Sequence, residues 1–321
     1  MRFSISPARQ QDLDLVKIID GTNGTEIAIL PGYGASLHAF CVAGADGMPF
    51  NVIDHYRDRA ELERFLSHSF KSPKLSPFPC RIPDGKYRFN DKEYQFNRLF
   101  ADGTAIHGLL YDRPFAITGQ TADEAAGTLC LEYFYKKDDA GYPFDYSCQV
   151  KYSLRDAGNL EIITTVTNLD SATIPIADGW HPYFRLGGRI DDWQLQFHSE
   201  AILEFDQRLV PTGRLLQYGL FDNLRKIGDT FLDNCFVLKP GIVSAACEIY
   251  NPANRLRISF YPDASYPYLQ LYTPPGRDSI AVENLSGAPD CFNNKMGLIL
   301  LPPGHSQIFT VRYHVSVDEK N

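Results

Sequence analysis

"YSCQVKYSLRDAGNLEIITTVTN", residues 146 to 168, alternates apolar and polar side chains along two arms separated by a short turn. Cys148, Val150, Tyr152 and Leu154 share one face of the first arm, and Leu160, Ile162, Thr164 and Val166 share one face of the second, with the reversal at Ala157 to Asn159. A period of two on both arms predicts a long antiparallel hairpin with one face turned to a core.

The same pattern extends outward in both directions. "KYRFNDKEYQF" (86 to 96) sets Tyr87 and Phe89 against Tyr94 and Phe96 across a turn at Asn90 and Asp91, and "CEIYNPANRLRISF" (247 to 260) reverses between Asn251 and Asn254. In the closing stretch "LLPPGHSQIFTVRYHVSV", Phe309, Val311, Tyr313 and Val315 share a face, with Thr310, Arg312 and His314 on the other. Only "RDRAELERFLSHSF" (57 to 70) predicts a helix, because Leu62, Phe65, Leu66 and Phe70 recur at three- and four-residue spacings. No linker of low complexity and no short repeat divides the chain, so residues 1–321 are expected to form a single all-β domain, a large antiparallel sandwich with few short helices.

Charge and cysteine usage narrow the function. A net charge of -8 and a pI near 5.5, without any block of Lys and Arg, argue against a nucleic-acid partner. The seven cysteines at 41, 80, 130, 148, 235, 247 and 291 contain no CxxC pair and read as reduced thiols. The opening "MRFSISPARQQ" lacks the apolar core of a signal peptide, and no apolar run is long enough to span a bilayer, so a cytoplasmic protein with no membrane partner is expected. Oligomeric state is left open.

Five polar residues stand in contexts too aromatic or too glycine-rich for ordinary surface. They are Arg81 in "FPCRIPDGK", His107 in "AIHGLLYDRPF", His181 in "DGWHPYF", Asp233 in "FLDNCF" and Glu283 in "AVENLSGAPD". Each has an ordinary structural explanation: hydrogen-bonded core histidines, an Arg81–Asp84 ion pair, a turn or helix cap at Asp233, an exposed strand end at Glu283. Gathered on one pocket, two histidines, two carboxylates and an arginine would suit proton transfer to and from a polyhydroxylated ligand. Trp180 and Tyr183 would supply an apolar wall for a sugar ring, and Gly179 a close backbone approach.

The ordered motifs "SPFPCRIPDGKY", "AIHGLLYDRPF", "GWHPYFRL", "LDNCF", "AVENLSGAPDCFN" and "LPPGHSQIFTVRYHV" resemble those of the aldose 1-epimerases, the galactose mutarotase-like family, over nearly the whole chain. The resemblance implies a β-supersandwich that interconverts the α and β anomers of a free aldose by opening and reclosing the ring, with no cofactor and no metal. It implies Glu283 as the base at the C1 hydroxyl, His181 as the acid at the ring oxygen, and His107 as a second active-site histidine. Arg81 and Asp233 would hold sugar hydroxyls. The sequence departs from the family pattern at Cys80, where many relatives carry asparagine, at "GLL" after His107, and at His305 in "PPGH".

Two alternatives belong beside this reading: a hexose-6-phosphate mutarotase using Arg113, Arg185 or Arg189 to grip phosphate, and a non-catalytic carbohydrate-binding sandwich. A glycoside hydrolase is less favoured, since Glu283 alone stands out where a pair of carboxylates is required. A metal site from His107, His181 and Glu283 lacks any compact ligand spacing.

Overall fold

The computed structural model describes residues 1–319, and strand dominates. The predicted hairpin forms from strands Asp145–Arg155 and Asn159–Asn168, with Tyr152 opposite Ile162. They lie inside a nine-stranded antiparallel sheet, and the closing strand Ser306–Val317 pairs beside Asn159–Asn168. Asn90 and Asp91 both take positive φ between Lys86–Phe89 and Lys92–Gln95, as a two-residue turn matched to strand twist requires.

A second sheet of eight strands packs face to face on the nine-stranded one. Its central strands are Asp233–Leu238, Tyr268–Tyr272 and Ile280–Leu285, continued by the short segments Gly179–Trp180 and Lys74–Leu75. Phe184, Leu269, Leu271, Ile280 and Val282 meet Tyr152, Phe260, Phe309, Val311 and Tyr313 in the principal core. A five-stranded N-terminal sheet covers part of the nine-stranded sheet's other edge, where a Cβ on Gly127 would collide with Ile18.

The helix runs over Arg59–Ser69, within the predicted stretch. Asp58 caps it by accepting from the Glu61 backbone N–H, at 2.8 Å, and the chain leaves it through a left-handed Phe70. Leu62 and Leu66 bury one stripe, which sets Phe70 over the outer face of the eight-stranded sheet.

His38, on the strand Ser36–Ala43, is buried with Nε2 unpartnered. Burial, then His55 and Lys17, push its pKa down from 6.5 to about 3. Because the folded value is depressed, its contribution to stability is full above pH 6.5 and is lost as pH falls towards 3. Measured by denaturant unfolding, the stability of the native sequence relative to His38→Leu is expected to fall by about 1.4 kcal/mol per pH unit across that window. Parallel stability curves would contradict it.

Candidate active site

Period-two alternation decides which side chains reach the site. Along Ile280–Leu285, Ile280 and Val282 point into the inter-sheet core, which sends Glu283 to the opposite face. Register places Cys235, Gln270 and Glu283 side by side on three adjacent strands, with Asp233 opposite Tyr272. A slip of one residue would turn this polar row into the core. Glu283 is therefore mid-strand and 2% exposed, not at an exposed strand end.

Over this row lies a cavity of about 430 Å³, within the size range of small-molecule clefts. Arg81, His107, His181, Tyr183, Asp233 and Glu283 all border it. The structure thus brings together six of the seven residues singled out in the sequence. Trp180 is the correction. Adjacent residues of an extended segment face opposite ways, so with His181 in the cavity Trp180 enters the core, against Tyr152 and beneath the Lys74 ammonium. It offers no wall to a ligand. Gly179 does allow a close approach: a Cβ there would lie 2.8 Å from Leu285 on the Glu283 strand.

His181 Nε2 lies 3.3 Å from Glu283 Oε1. Burial pushes the two groups in opposite directions, the imidazole down to about 3 and the carboxyl well up, so desolvation favours the neutral form of each. A neutral imidazole facing a protonated carboxyl and an imidazolium facing a carboxylate have the same net charge. Either arrangement would hold one transferable proton and one vacant acceptor.

His107 is held differently. It adopts φ +59°, its N–H donates to the Cys80 carbonyl at 2.8 Å, and its Nδ1 accepts from the Cys80 N–H at 3.2 Å. With Nδ1 acting as acceptor and burial keeping the ring neutral, the remaining proton must sit on Nε2. Gly108 follows at φ +72°, and a Cβ there would collide with the Ser76 carbonyl, so the loop requires glycine. Phe70 packs against the His107 ring at 4.6 Å, and His107 against His181 at 4.9 Å.

The supposed Arg81–Asp84 pair is absent: Asp84 pairs with Arg208, and Arg81 makes no ion pair among the described residues. Asp233 is neither turn nor cap. It begins a strand and accepts from Gln270 Nε2 at 2.9 Å, while burial raises its pKa against the opposing pull of Arg81. Gln270 Oε1 and Glu283 Oε2 are buried without partners. Such atoms are costly to leave unsatisfied, which makes the cavity floor receptive to hydroxyl donors.

Gln270, Tyr272 and Phe70 also border the cavity and were not anticipated. Alternation in "YLQLY" carries the signal for Gln270, as its polar side chain shares a face with Tyr268 and Tyr272. Among the departures from the family pattern, only Cys80 reaches the cavity. Leu109 and Leu110 are core residues, and His305 is exposed on a turn. Arg113 lies near Asp112 and Asp138, Arg189 pairs with Asp191, and Arg185 is exposed; none borders the cavity. Among the described residues no cluster of three or more His, Cys, Asp or Glu is arranged to hold a metal ion, and no helix is long and apolar enough to cross a membrane.

Sandwich and hollow together define a galactose mutarotase-like β-supersandwich. A galactose mutarotase-like protein from Clostridium acetobutylicum superposes with a TM-score of 0.86 over 98% of both chains at 18% identity. The family model described as aldose 1-epimerase matches residues 14–314, and the chain belongs to that family of mutarotases, which are isomerases acting on small-molecule sugars. It is 29% identical to the uncharacterized protein YihR of Escherichia coli over 74% of this chain and 77% of that one. It is also 24% identical to the aldose 1-epimerase of Streptococcus thermophilus over 94% of each.

Proposed function

We propose that this protein interconverts the anomers of a free aldose, with Glu283 and His181 exchanging protons at the two ends of the C1–O5 edge. The observation that carries the reading is the 3.3 Å contact between a buried imidazole and a buried carboxyl on the floor of a polar cavity. Opening a cyclic aldose requires loss of the C1 hydroxyl proton and gain of a proton at the ring oxygen. A pair holding one proton and one vacancy meets both demands without exchange with solvent.

In the forward direction Glu283, as carboxylate, takes the hydroxyl proton, and His181, as imidazolium, protonates the ring oxygen. The C1–O5 bond breaks, the aldehyde end turns about C1–C2, and closure on the other face reverses both transfers. His107, with its proton on Nε2, donates a hydrogen bond to the ring oxygen or a neighbouring hydroxyl. Arg81 donates and Asp233 accepts at the sugar's other hydroxyls, which orients the ring.

Among the described residues Arg81 is the only Arg or Lys that lines the cavity, which favours an uncharged aldose over a hexose phosphate. The decisive assay is anomer exchange by polarimetry over a panel of free aldoses, each run beside its 6-phosphate. Acceleration confined to unphosphorylated sugars is expected. Acceleration confined to the phosphates would refute the free-aldose reading, and sugar binding without acceleration would favour a binding protein.

A further inference from the structure

We propose that the fully buried Lys74–Asp178 ion pair is a positioning unit that holds the segment bearing His181 against the strand bearing Glu283. It thereby sets the separation across which the pair exchanges its proton. The inference rests on the acid–base reading of that pair, and neither Lys74 nor Asp178 borders the cavity.

Lys74 Nζ lies 2.5 Å from Asp178 Oδ1, with both side chains wholly excluded from solvent. The ammonium also donates to the Gly179 carbonyl at 3.0 Å and to Thr164 Oγ1 at 3.3 Å, and it sits 4.3 Å from the Trp180 ring centroid. Tyr266 donates its hydroxyl proton to the same Asp178 oxygen at 2.7 Å. Thr164 belongs to the nine-stranded sheet, so the charge pair bridges the two layers.

Asp178 precedes His181 by three residues, and its backbone clasps a residue three beyond Glu283. The Asp178 N–H donates to Ser286 Oγ at 2.7 Å, and the Ser286 N–H donates to the Asp178 carbonyl at 2.8 Å. On the other side, Lys74 is two residues from Ser72, whose N–H donates to the His181 carbonyl at 3.0 Å. The charge pair therefore ties together two segments that each hold the His181 backbone, and the one bearing Asp178 is hydrogen-bonded in turn to the end of the Glu283 strand.

Taking two charges out of water is an expensive way to hold a core together, and apolar side chains of the same volume often serve stability equally well. What an ion pair adds is a single permitted alignment of the segments that carry it. Removing one partner would strand the other charge in the interior at a large cost in stability, so a single charge deletion would mix loss of stability with loss of positioning. Lys74→Met with Asp178→Asn removes both charges, keeps the volumes, and leaves Tyr266 an acceptor.

The test is steady-state anomer exchange by the full chain, with 15N NMR of the His181 imidazole. The double variant is expected to fold with a similar Tm, to lose about a hundredfold in kcat with KM changed by less than about threefold, and to shift the His181 resonances. Ser286→Ala removes one of the two hydrogen bonds through which the Asp178 segment passes its alignment to the Glu283 strand, and is expected to lower kcat about fivefold with KM unchanged. A folded double variant with native kcat and an unmoved His181 spectrum overturns the inference. If the double variant does not fold, native kcat in Ser286→Ala overturns it. Should the native protein accelerate no sugar, the functional reading fails by itself, and the His181 spectra of the variants still decide the positioning claim.

Discussion

Glu283→Gln is expected to lower kcat/KM for anomer exchange by about 10²- to 10⁴-fold while leaving the fold intact. The amide keeps the shape of the carboxyl but has no vacancy for the C1 hydroxyl proton, so His181 is left without a complementary group. Stability should move the other way. Burial raises the Glu283 pKa well above 4.5, so the folded state binds this proton more tightly than the unfolded chain. Its stabilising contribution is complete below pH 4.5 and is lost as pH rises through the folded value. Glutamine has no such loss, and thermal unfolding of the variant near neutral pH should occur at or above the native Tm. A variant with near-native exchange would remove Glu283 from the reaction.

His181→Ala is the second large effect, again about 10²- to 10⁴-fold in rate, with a different signature. His181 stacks on Tyr183 at 5.0 Å and faces Glu283, so truncation leaves a hollow the size of the lost ring beside the carboxyl. Added imidazole should enter that hollow and restore part of the rate in a saturable way. It should do nothing for Glu283→Gln, where the missing function is the carboxylate. The pH dependence also differs. His181 has its pKa depressed to about 3, so its stabilising contribution is present above pH 6.5 and is lost on acidification towards 3. The alanine variant should lack this acid sensitivity. Retained activity without imidazole would place the acid elsewhere, with His107 the nearest candidate.

Much of this site is legible in the sequence because strands write their facing into a period of two. The hairpin around Ala157, the Tyr87–Tyr94 pair and the Phe309 to Val315 face all follow from alternation alone, as does the helix from its three- and four-residue spacings. His107, His181 and Glu283 stand out since a titratable group among aromatic and glycine residues seldom faces bulk water. Trp180 misleads for an instructive reason: sequence adjacency to His181 suggests a shared surface, whereas extended backbone sends the two rings to opposite sides of the sheet.

What stays hidden is pairing across distance. Lys74 and Asp178 are 104 residues apart, and each in isolation reads as surface charge; only the meeting of two short strands shows that they neutralise one another. The Asp233–Gln270 hydrogen bond and the Cys80 clasp on His107 Nδ1 depend likewise on register and on left-handed backbone at Cys80 and His107. No composition or spacing encodes those contacts, yet they determine which His107 nitrogen carries the proton and how Asp233 is aimed.

Two-dimensional exchange NMR at anomeric equilibrium tests, without coupling enzymes or net turnover, whether His181 and Glu283 pass protons across one anomeric centre. Cross-peaks linking the H1 signals of the α and β forms should grow in proportion to native protein, and should fall to the uncatalysed level with Glu283→Gln or His181→Ala. Equal cross-peak growth for the native protein and both variants would show that neither side chain takes part in the exchange.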